Sequence, residues 1–184
     1  MRPLLIAGVA GLAVIGLAFL PAQADDSFSP YVDDDGNISF PGGFRASMVH
    51  LGSWFVPEGA ASGFHDVYTE RESVVAFRET GRFPDGATLV KELRASESGD
   101  YTTGQDVQFA TESVKQWFVM IKDAEGRFAD SPSWGDGWGW ALFMPDDLQT
   151  NVAADYKTDC LGCHVPARGN DWVYTEAYPT LSSD

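Results

Sequence analysis

Basic side chains are scarce in this sequence. Its 184 residues include 12 lysines and arginines against 27 aspartates and glutamates, a formal net charge of −15 at pH 7. A surface of that sign repels phosphate groups, which excludes nucleic acids and anionic lipid surfaces as partners. It is compatible with a basic protein partner. The negative charge is equally explained if it only keeps the protein soluble.

Cysteine is scarcer still, and both copies lie in one short segment. Cys160, Cys163 and His164 form a Cys-x-x-Cys-His sequence, which is the pattern of c-type haem attachment. Two thiols at this spacing can each add to a vinyl group of one porphyrin, and the next residue can bind the iron as an axial ligand. Haem attached in this way leaves no thiol for a disulfide.

Paired cysteines have two other common uses, in zinc sites and in redox disulfides. A zinc site needs four ligands, and beyond this segment the chain offers only His50, His65 and carboxylates. A thioredoxin-like redox disulfide needs a βαβ context that the surrounding sequence does not resemble, and it gives His164 no role. Covalent haem c is therefore the favoured interpretation.

The haem segment is predicted to be helical, with its first cysteine and its histidine on one face. Thr158 or Asp159 would cap this helix, and Pro166 and Gly169 would end it.

No methionine or histidine follows the haem segment. A second axial ligand would have to come from upstream, where the candidates are Met48, His50, His65, Met120 and Met144. None has a spacing that marks it as a ligand, and core or surface roles are more usual for both residue types. This argues against a small electron-transfer cytochrome, in which the haem segment is usually near the start of the mature chain.

Only one long apolar run is present, from Leu4 to Leu20, after the basic Arg2. It leads to a small-x-small site that ends at Ala24, which predicts a secretory signal peptide over residues 1–24. An uncleaved anchor is the alternative, but Asp25 and Asp26 follow the site directly. The sequence therefore predicts a periplasmic or secreted protein without a stable membrane span.

The remaining chain is long enough for one domain with its own core. Residues 25–43 are acidic and contain Pro30, Pro41 and paired glycines, which indicates an N-terminal arm. Residues 44–184 are then the haem domain.

Short strand-like runs dominate this domain. Strands are predicted over residues 64–69, 87–94, 108–111, 115–122 and 138–144. A helical turn leading into a strand is expected over 44–56, and a short helix over 72–80, closed by Gly81. Several strands with few short helices favour an α+β fold with a predominantly antiparallel sheet.

Two of these strands have unusual side chains. Alternation places Lys91 on an apolar face with Leu89 and Leu93, where a lysine must be paired, deprotonated, covalently bound or extended to the rim. In the other strand, Gly137, Gly139 and Ala141 share a face, which would admit a flat group such as a porphyrin, or another strand.

Four segments together resemble the cytochrome P460 family and the related cytochrome c′-beta. They are residues 81–93 (GRFPDGATLVKEL), the Trp/Gly-rich strand, the haem segment, and residues 172–181 (WVYTEAYPTL). The resemblance extends from Phe44 to Leu181. It implies an antiparallel β-sheet domain, often a homodimer, with a five-coordinate haem c.

The resemblance also implies chemistry. In members that oxidise hydroxylamine, the lysine at the place of Lys91 is bonded covalently to the haem macrocycle, with His164 as the proximal ligand. A carboxylate near the substrate accepts protons, and electrons leave to a periplasmic acceptor, giving nitric or nitrous oxide. Glu92 points to the other face of its strand, so that carboxylate is not identified.

One position departs from the family. The resemblance places Phe64 and Tyr68 in the distal pocket, and the hydroxylamine oxidisers have an arginine where Tyr68 stands. With tyrosine in place of arginine the pocket would carry less positive charge, so the resemblance does not determine the substrate. Nitric oxide binding without turnover, as in cytochrome c′-beta, and simple electron transfer are the alternatives.

Overall fold

A computed structural model describes residues 28–182 of the chain. The expected signal peptide, residues 1–24, lies outside this range. Six antiparallel strands form one sheet in the order β1-β2-β3-β4-β6-β5. The strands are β1 Val49–Val56, β2 Gly63–Thr69, β3 Thr88–Tyr101, β4 Gly104–Lys122, β5 Trp134–Gly135 and β6 Trp138–Phe143.

The helices are short, which confirms the predicted α+β fold. They are α1 Phe44–Ser47, α2 Arg71–Thr80, α3 Tyr156–Asp159 and α4 Leu161–His164, followed by 3₁₀ turns at Val165–Asn170, Thr175–Ala177 and Pro179–Leu181. Gly81 ends α2 in the left-handed conformation, with φ +73°, as expected for a glycine after a helix.

The strands predicted separately over 108–111 and 115–122 are one continuous strand, β4. The first half of β4 pairs with the second half of β3, from the pair Ser96 and Ala110 to the pair Tyr101 and Gly104. Backbone hydrogen bonds to β3 keep this polar half of β4 extended, although neither of its faces is buried. The result is a two-stranded ribbon that projects beyond the rest of the sheet.

Both faces of the sheet are covered. The C-terminal face, which the segment after Tyr156 covers, carries Val67, Leu89, Met120, Trp138 and Trp140. The N-terminal face, which residues 28–44 cover, carries Val119, Ile121, Ala141 and Phe143. The alternation of strand residues therefore decides which of two separate cores each side chain enters.

Residues 28–43, predicted to be an acidic arm, pack on the N-terminal face. Ile38 is buried, and the ring of Phe40 lies 5.1 Å from that of Trp117 and 5.5 Å from that of Phe143. From Phe28 onward this segment is part of the folded domain.

The glycine face of β6 meets a residue of another strand, β5, which is one of the two neighbours that the sequence allowed. A Cβ atom at Gly139 would lie 2.6 Å from the indole of Trp134. Gly139 and Ala141 therefore belong to the N-terminal face, where the flat group is the chain's own tryptophan.

The C-terminal segment is fastened across the opposite face. A Cβ atom at Gly52 would lie 2.0 Å from the carbonyl oxygen of Ala177, so only glycine allows this approach of the two backbones. The Thr180 hydroxyl donates to the carbonyl oxygen of His50 at 3.0 Å, and the Arg78 guanidinium donates to that of Thr180 at 2.7 Å. The segment thus roofs the C-terminal face.

Candidate active site

A cavity lies between the C-terminal face of the sheet and this roof. The space between them, counting the part that opens to solvent, is about 780 Å³. The sheet contributes the side chains of His65, Val67, Leu89, Lys91, Phe118, Met120 and Trp140. The roof contributes those of Asp159, Cys160, Cys163, His164, Val173, Tyr174 and Tyr178.

Four residues singled out by the sequence meet in this cavity. Lys91 lies on β3, and Cys160, Cys163 and His164 lie in the roof, about seventy positions further along the chain. Antiparallel pairing of β3 in the sheet and the return of the C-terminal segment bring them together.

His164 is held on two sides. Its Nδ1 lies 2.7 Å from the carbonyl oxygen of Trp172, and its ring meets that of Trp140 edge-on, with centroids 4.9 Å apart. A carbonyl oxygen only accepts hydrogen bonds, so Nδ1 carries the proton and Nε2 keeps its lone pair. This is the tautomer that a metal-binding histidine needs when a backbone carbonyl orients its ring.

The Trp172 carbonyl is aimed by an unusual turn. Asp171 and Trp172 both have left-handed conformations, with φ +57° and +66°, which are rare for residues other than glycine. The Lys122 ammonium donates to the Asp171 carboxylate at 2.8 Å, and the Trp138 indole donates to the Asp171 carbonyl at 2.9 Å. The sheet thus holds the strained turn that orients His164.

The two cysteines do not lie on one continuous helix: Cys163 is in α4, and Cys160 is in the break before it. The chain breaks helical geometry at Cys160, with φ −123° and ψ −48°, between α3 and α4. The N-terminal cap of α3 is Asp155, whose carboxylate accepts from the backbone N–H of Lys157 at 2.8 Å. The prediction of Thr158 or Asp159 as the cap was wrong, because helical geometry starts one turn earlier than the sequence pattern indicated.

The α-helix ends at His164, just before Pro166, as predicted. A 3₁₀ helix continues from Val165 to Asn170, with the proline in its first turn, where a missing N–H costs nothing.

Lys91 is the exceptional charged group of the cavity. Its Nζ lies 3.9 Å from the centroid of the Phe118 ring, and within residues 28–182 its ammonium makes no hydrogen bond or ion pair with another side chain. Burial lowers the pKa of Lys91 to about 8. At pH 7 Lys91 is then a neutral, nucleophilic amine in roughly a tenth of the molecules, far more than for an ordinary lysine.

Glu92 lies on the opposite face, as alternation predicts. Its carboxylate is fully buried and forms hydrogen bonds with the Arg45 guanidinium and with the Trp117 indole, the latter at 2.9 Å. These partners compensate the buried charge, and Glu92 has no access to the cavity.

Asp159 is the one carboxylate among the described residues that line the cavity. It accepts the backbone N–H groups of Ala154 at 2.7 Å and Asp155 at 3.1 Å. These bonds lower the pKa of the Asp159 carboxyl, which makes it a poor proton acceptor at neutral pH.

The placement of Phe64 and Tyr68 in the distal pocket is corrected by the structure. Strand alternation turns both to the N-terminal face, where Tyr68 packs on Phe44 with ring centroids 5.1 Å apart and Phe64 packs on Phe55 at 5.0 Å. Neither lines the cavity.

The intervening residues of β2 take their place. His65 and Val67 line the cavity and are buried while their neighbours are partly exposed. Of the upstream histidines and methionines considered as second axial ligands, His65 and Met120 line the cavity, and the other three do not. Alternation in β2 separates His65 and Val67 from Phe64 and Tyr68. The sequence of so short a strand does not show which of the two pairs faces inward.

A comparison with protein families decides the identity. The family model Cytochrome P460 matches residues 41–175, which is most of the chain. This chain belongs to the cytochrome P460 family. A search of curated proteins finds no match.

Membership of the cytochrome P460 family implies a haem cofactor. The cavity residues fit one: a histidine with a free Nε2, two thiols at the attachment spacing, and an apolar wall from the sheet. Within residues 28–182 no helix is long and apolar enough to cross a membrane.

Proposed function

We propose that this protein is an exported c-type haem oxidoreductase that oxidises hydroxylamine. Cys160 and Cys163 form the thioethers, His164 is the proximal iron ligand, and Lys91 is bonded to the macrocycle. The observation that carries the proposal is that Lys91, which has no hydrogen-bond or ion-pair partner among the described residues, meets the Cys-x-x-Cys-His segment in one apolar cavity.

Each of these residues has a defined task. When bound, a ferric haem supplies an open iron position for the substrate nitrogen and accepts its electrons. His164 presents Nε2 to the iron because Trp172 holds the proton on Nδ1. Val67, Leu89 and Phe118 exclude water on the sheet side.

Lys91 would bond to the macrocycle through its neutral amine. The new N–C bond would replace one N–H and one C–H, with two protons released to solvent and two electrons taken by an external oxidant. The mass is therefore lower by two hydrogens than that of the same protein held by thioethers alone. Fixing Lys91 in this way also removes a buried cation from the cavity.

The overall reaction is NH₂OH → NO + 3 H⁺ + 3 e⁻, or 2 NH₂OH → N₂O + H₂O + 4 H⁺ + 4 e⁻. The electrons go to a periplasmic one-electron acceptor. With a net charge of −15, the protein favours an acceptor with a basic surface, since opposite charges speed encounter.

Nitric oxide binding without turnover is the second candidate. The apolar sheet wall and the engaged state of Asp159 favour it, because a small neutral ligand needs no proton acceptor. Such a protein would bind nitric oxide at five-coordinate haem and would reduce no acceptor.

Anaerobic mixing of the oxidised holoprotein with hydroxylamine and an artificial electron acceptor separates the two candidates. The oxidoreductase reduces the acceptor in repeated turnovers, with three electrons for each nitric oxide released or two for each hydroxylamine converted to nitrous oxide. A protein that binds added nitric oxide but leaves the acceptor oxidised would rule out the enzyme.

A further inference from the structure

Two stacked aromatic rings, those of Trp140 and Tyr156, lie beside His164. Trp140 lines the cavity and meets the imidazole edge-on. The same indole stacks on the ring of Tyr156, with centroids 6.0 Å apart and planes 12° apart. Both residues are buried. Paired aromatic rings are common in protein cores, so this packing alone does not indicate a function.

The hydroxyl of Tyr156 distinguishes the pair from ordinary core packing. It donates to the carboxylate of Asp136 at 3.1 Å. Within residues 28–182 no other tyrosine hydroxyl donates to a carboxylate. Tyr174, whose ring also lies near His164, donates to the backbone carbonyl of Cys163. A carbonyl accepts a hydrogen bond, but unlike a carboxylate it is not a base that takes up the proton.

The backbone around this hydrogen bond leaves room for it. A Cβ atom at Gly135 would lie 2.2 Å from the hydroxyl oxygen of Tyr156, so any larger residue there would push the phenol away. Asp136 has a left-handed conformation, with φ +55°, which is uncommon for residues other than glycine. Asp136 is also exposed. The phenol is therefore buried, while its proton acceptor reaches solvent.

The phenol keeps its proton at neutral pH. Burial raises the pKa of Tyr156 above its ordinary value of 10, and the hydrogen bond to Asp136 adds to the shift. A phenol that loses an electron becomes strongly acidic, and a hydrogen-bonded carboxylate that accepts the proton stabilises the neutral radical. Of the tyrosines near the cavity, Tyr156 is therefore the best placed to be oxidised.

We infer that Trp140 and Tyr156 carry an oxidising equivalent away from the haem site when the holoprotein meets hydrogen peroxide. The inference goes beyond the proposed function and requires only that haem occupies the cavity beside His164. Peroxide takes up two electrons, in H₂O₂ + 2 H⁺ + 2 e⁻ → 2 H₂O. One electron comes from the haem and the other from Trp140, which Tyr156 then reduces. The two protons come from solvent, which regains one from Tyr156 through Asp136, and a neutral tyrosyl radical remains.

Electron paramagnetic resonance detects this radical directly. Ferric holoprotein is mixed with hydrogen peroxide and frozen, and ring-deuterated tyrosine in a second sample proves that the signal is tyrosyl. We expect the signal in the wild type and its loss in Tyr156→Phe, which keeps the stacked ring but has no hydroxyl. Tyr174→Phe tests the other tyrosine beside His164 and should keep the signal. The inference is overturned if the wild type gives no tyrosyl signal, if Tyr156→Phe retains it, or if Tyr174→Phe alone loses it.

Asp136→Asn tests the proton acceptor. The amide oxygen still accepts the hydrogen bond, and asparagine tolerates the left-handed conformation, but the amide takes up no proton. We expect a weaker tyrosyl signal and faster bleaching of the haem by peroxide, because the oxidising equivalent stays at the haem site. A signal of wild-type strength would show that the carboxylate has no part in the transfer.

The wild-type protein supplies a further measurement if the Tyr156→Phe variant does not hold haem. Peroxide is added in the presence of a nitroso radical trap, and the digested protein is mapped by mass spectrometry. The trap should be attached to Tyr156, and adducts confined to other residues would contradict the inference. A radical on Tyr156 in a protein that does not oxidise hydroxylamine would remove the proposed function and leave this inference standing.

Discussion

The carbonyl oxygen of Trp172 lies 2.7 Å from Nδ1 of His164, and this contact selects the imidazole tautomer that can bind iron. The carbonyl is aimed by two consecutive left-handed residues that Lys122 and Trp138 hold from the sheet. The position of the His164 ring therefore depends on a lysine more than forty residues away in the sequence.

Lys122→Met tests this dependence. Without the ion pair to Asp171, the strained turn should relax and the hydrogen bond to His164 should weaken. A weaker bond makes the imidazole a poorer electron donor, so the haem reduction potential should rise while the haem stays attached. Redox titration measures the shift. Lys157→Met, an exposed change on α3, is the control and should leave the potential unaltered; an identical potential in Lys122→Met would contradict the role of the turn.

Lys91→Ala tests the cross-link. We expect the variant to keep its haem, to show the mass of two thioethers without further hydrogen loss, and to lose hydroxylamine turnover. Intact mass spectrometry and the absorption spectrum of the ferrous protein, in which the cross-link should shift the Soret band to the red, report the chemistry directly. Lys115→Ala is the control, because Lys115 bonds to Ser62 outside the cavity lining. Full turnover in Lys91→Ala would remove the enzyme as proposed.

Formation of the cross-link should depend on pH. The pKa of Lys91 is lowered to about 8, so the protonated form dominates below this value and the neutral amine above it. Only the neutral amine can form the N–C bond. When haem-loaded protein that has not yet reacted is incubated with oxidant, the cross-linked fraction should rise with pH through the lowered pKa of Lys91. A rate that is the same at pH 6 and pH 9 would show that deprotonation of Lys91 does not limit the reaction.

Gly52→Ala tests the attachment of the roof. The added methyl group would meet the carbonyl oxygen of Ala177 and displace the C-terminal segment, at a cost of about 1–3 kcal/mol in the free energy of unfolding. Urea denaturation of the holoprotein measures it. Gly42→Ala, where the methyl group meets nothing within 4 Å, should stay within about 0.5 kcal/mol, and equal stabilities for the two variants would contradict the packing described.

The sequence predicted the parts of this site that local patterns determine. The Cys-x-x-Cys-His segment marks its residues by spacing alone, and alternation correctly separated Lys91 from Glu92. The α+β fold followed from the number of short strands.

Long-range packing decided the rest. Phe64 and Tyr68 share one parity in β2 and His65 and Val67 the other, and only the neighbouring strands determine which parity meets the cavity. Likewise, the flat neighbour of Gly139 is Trp134 because β5 folds back on β6. Neither contact leaves a trace in the residues themselves.

We propose that haem is bonded covalently in the cavity formed by the sheet and the C-terminal segment. This claim can be checked by producing the protein in a host competent in cytochrome maturation, denaturing it, and measuring its absorption and intact mass. We expect a coloured polypeptide with the mass of one haem added to the chain, less two hydrogens for the Lys91 bond. A colourless chain, or haem that separates on denaturation, would contradict the claim.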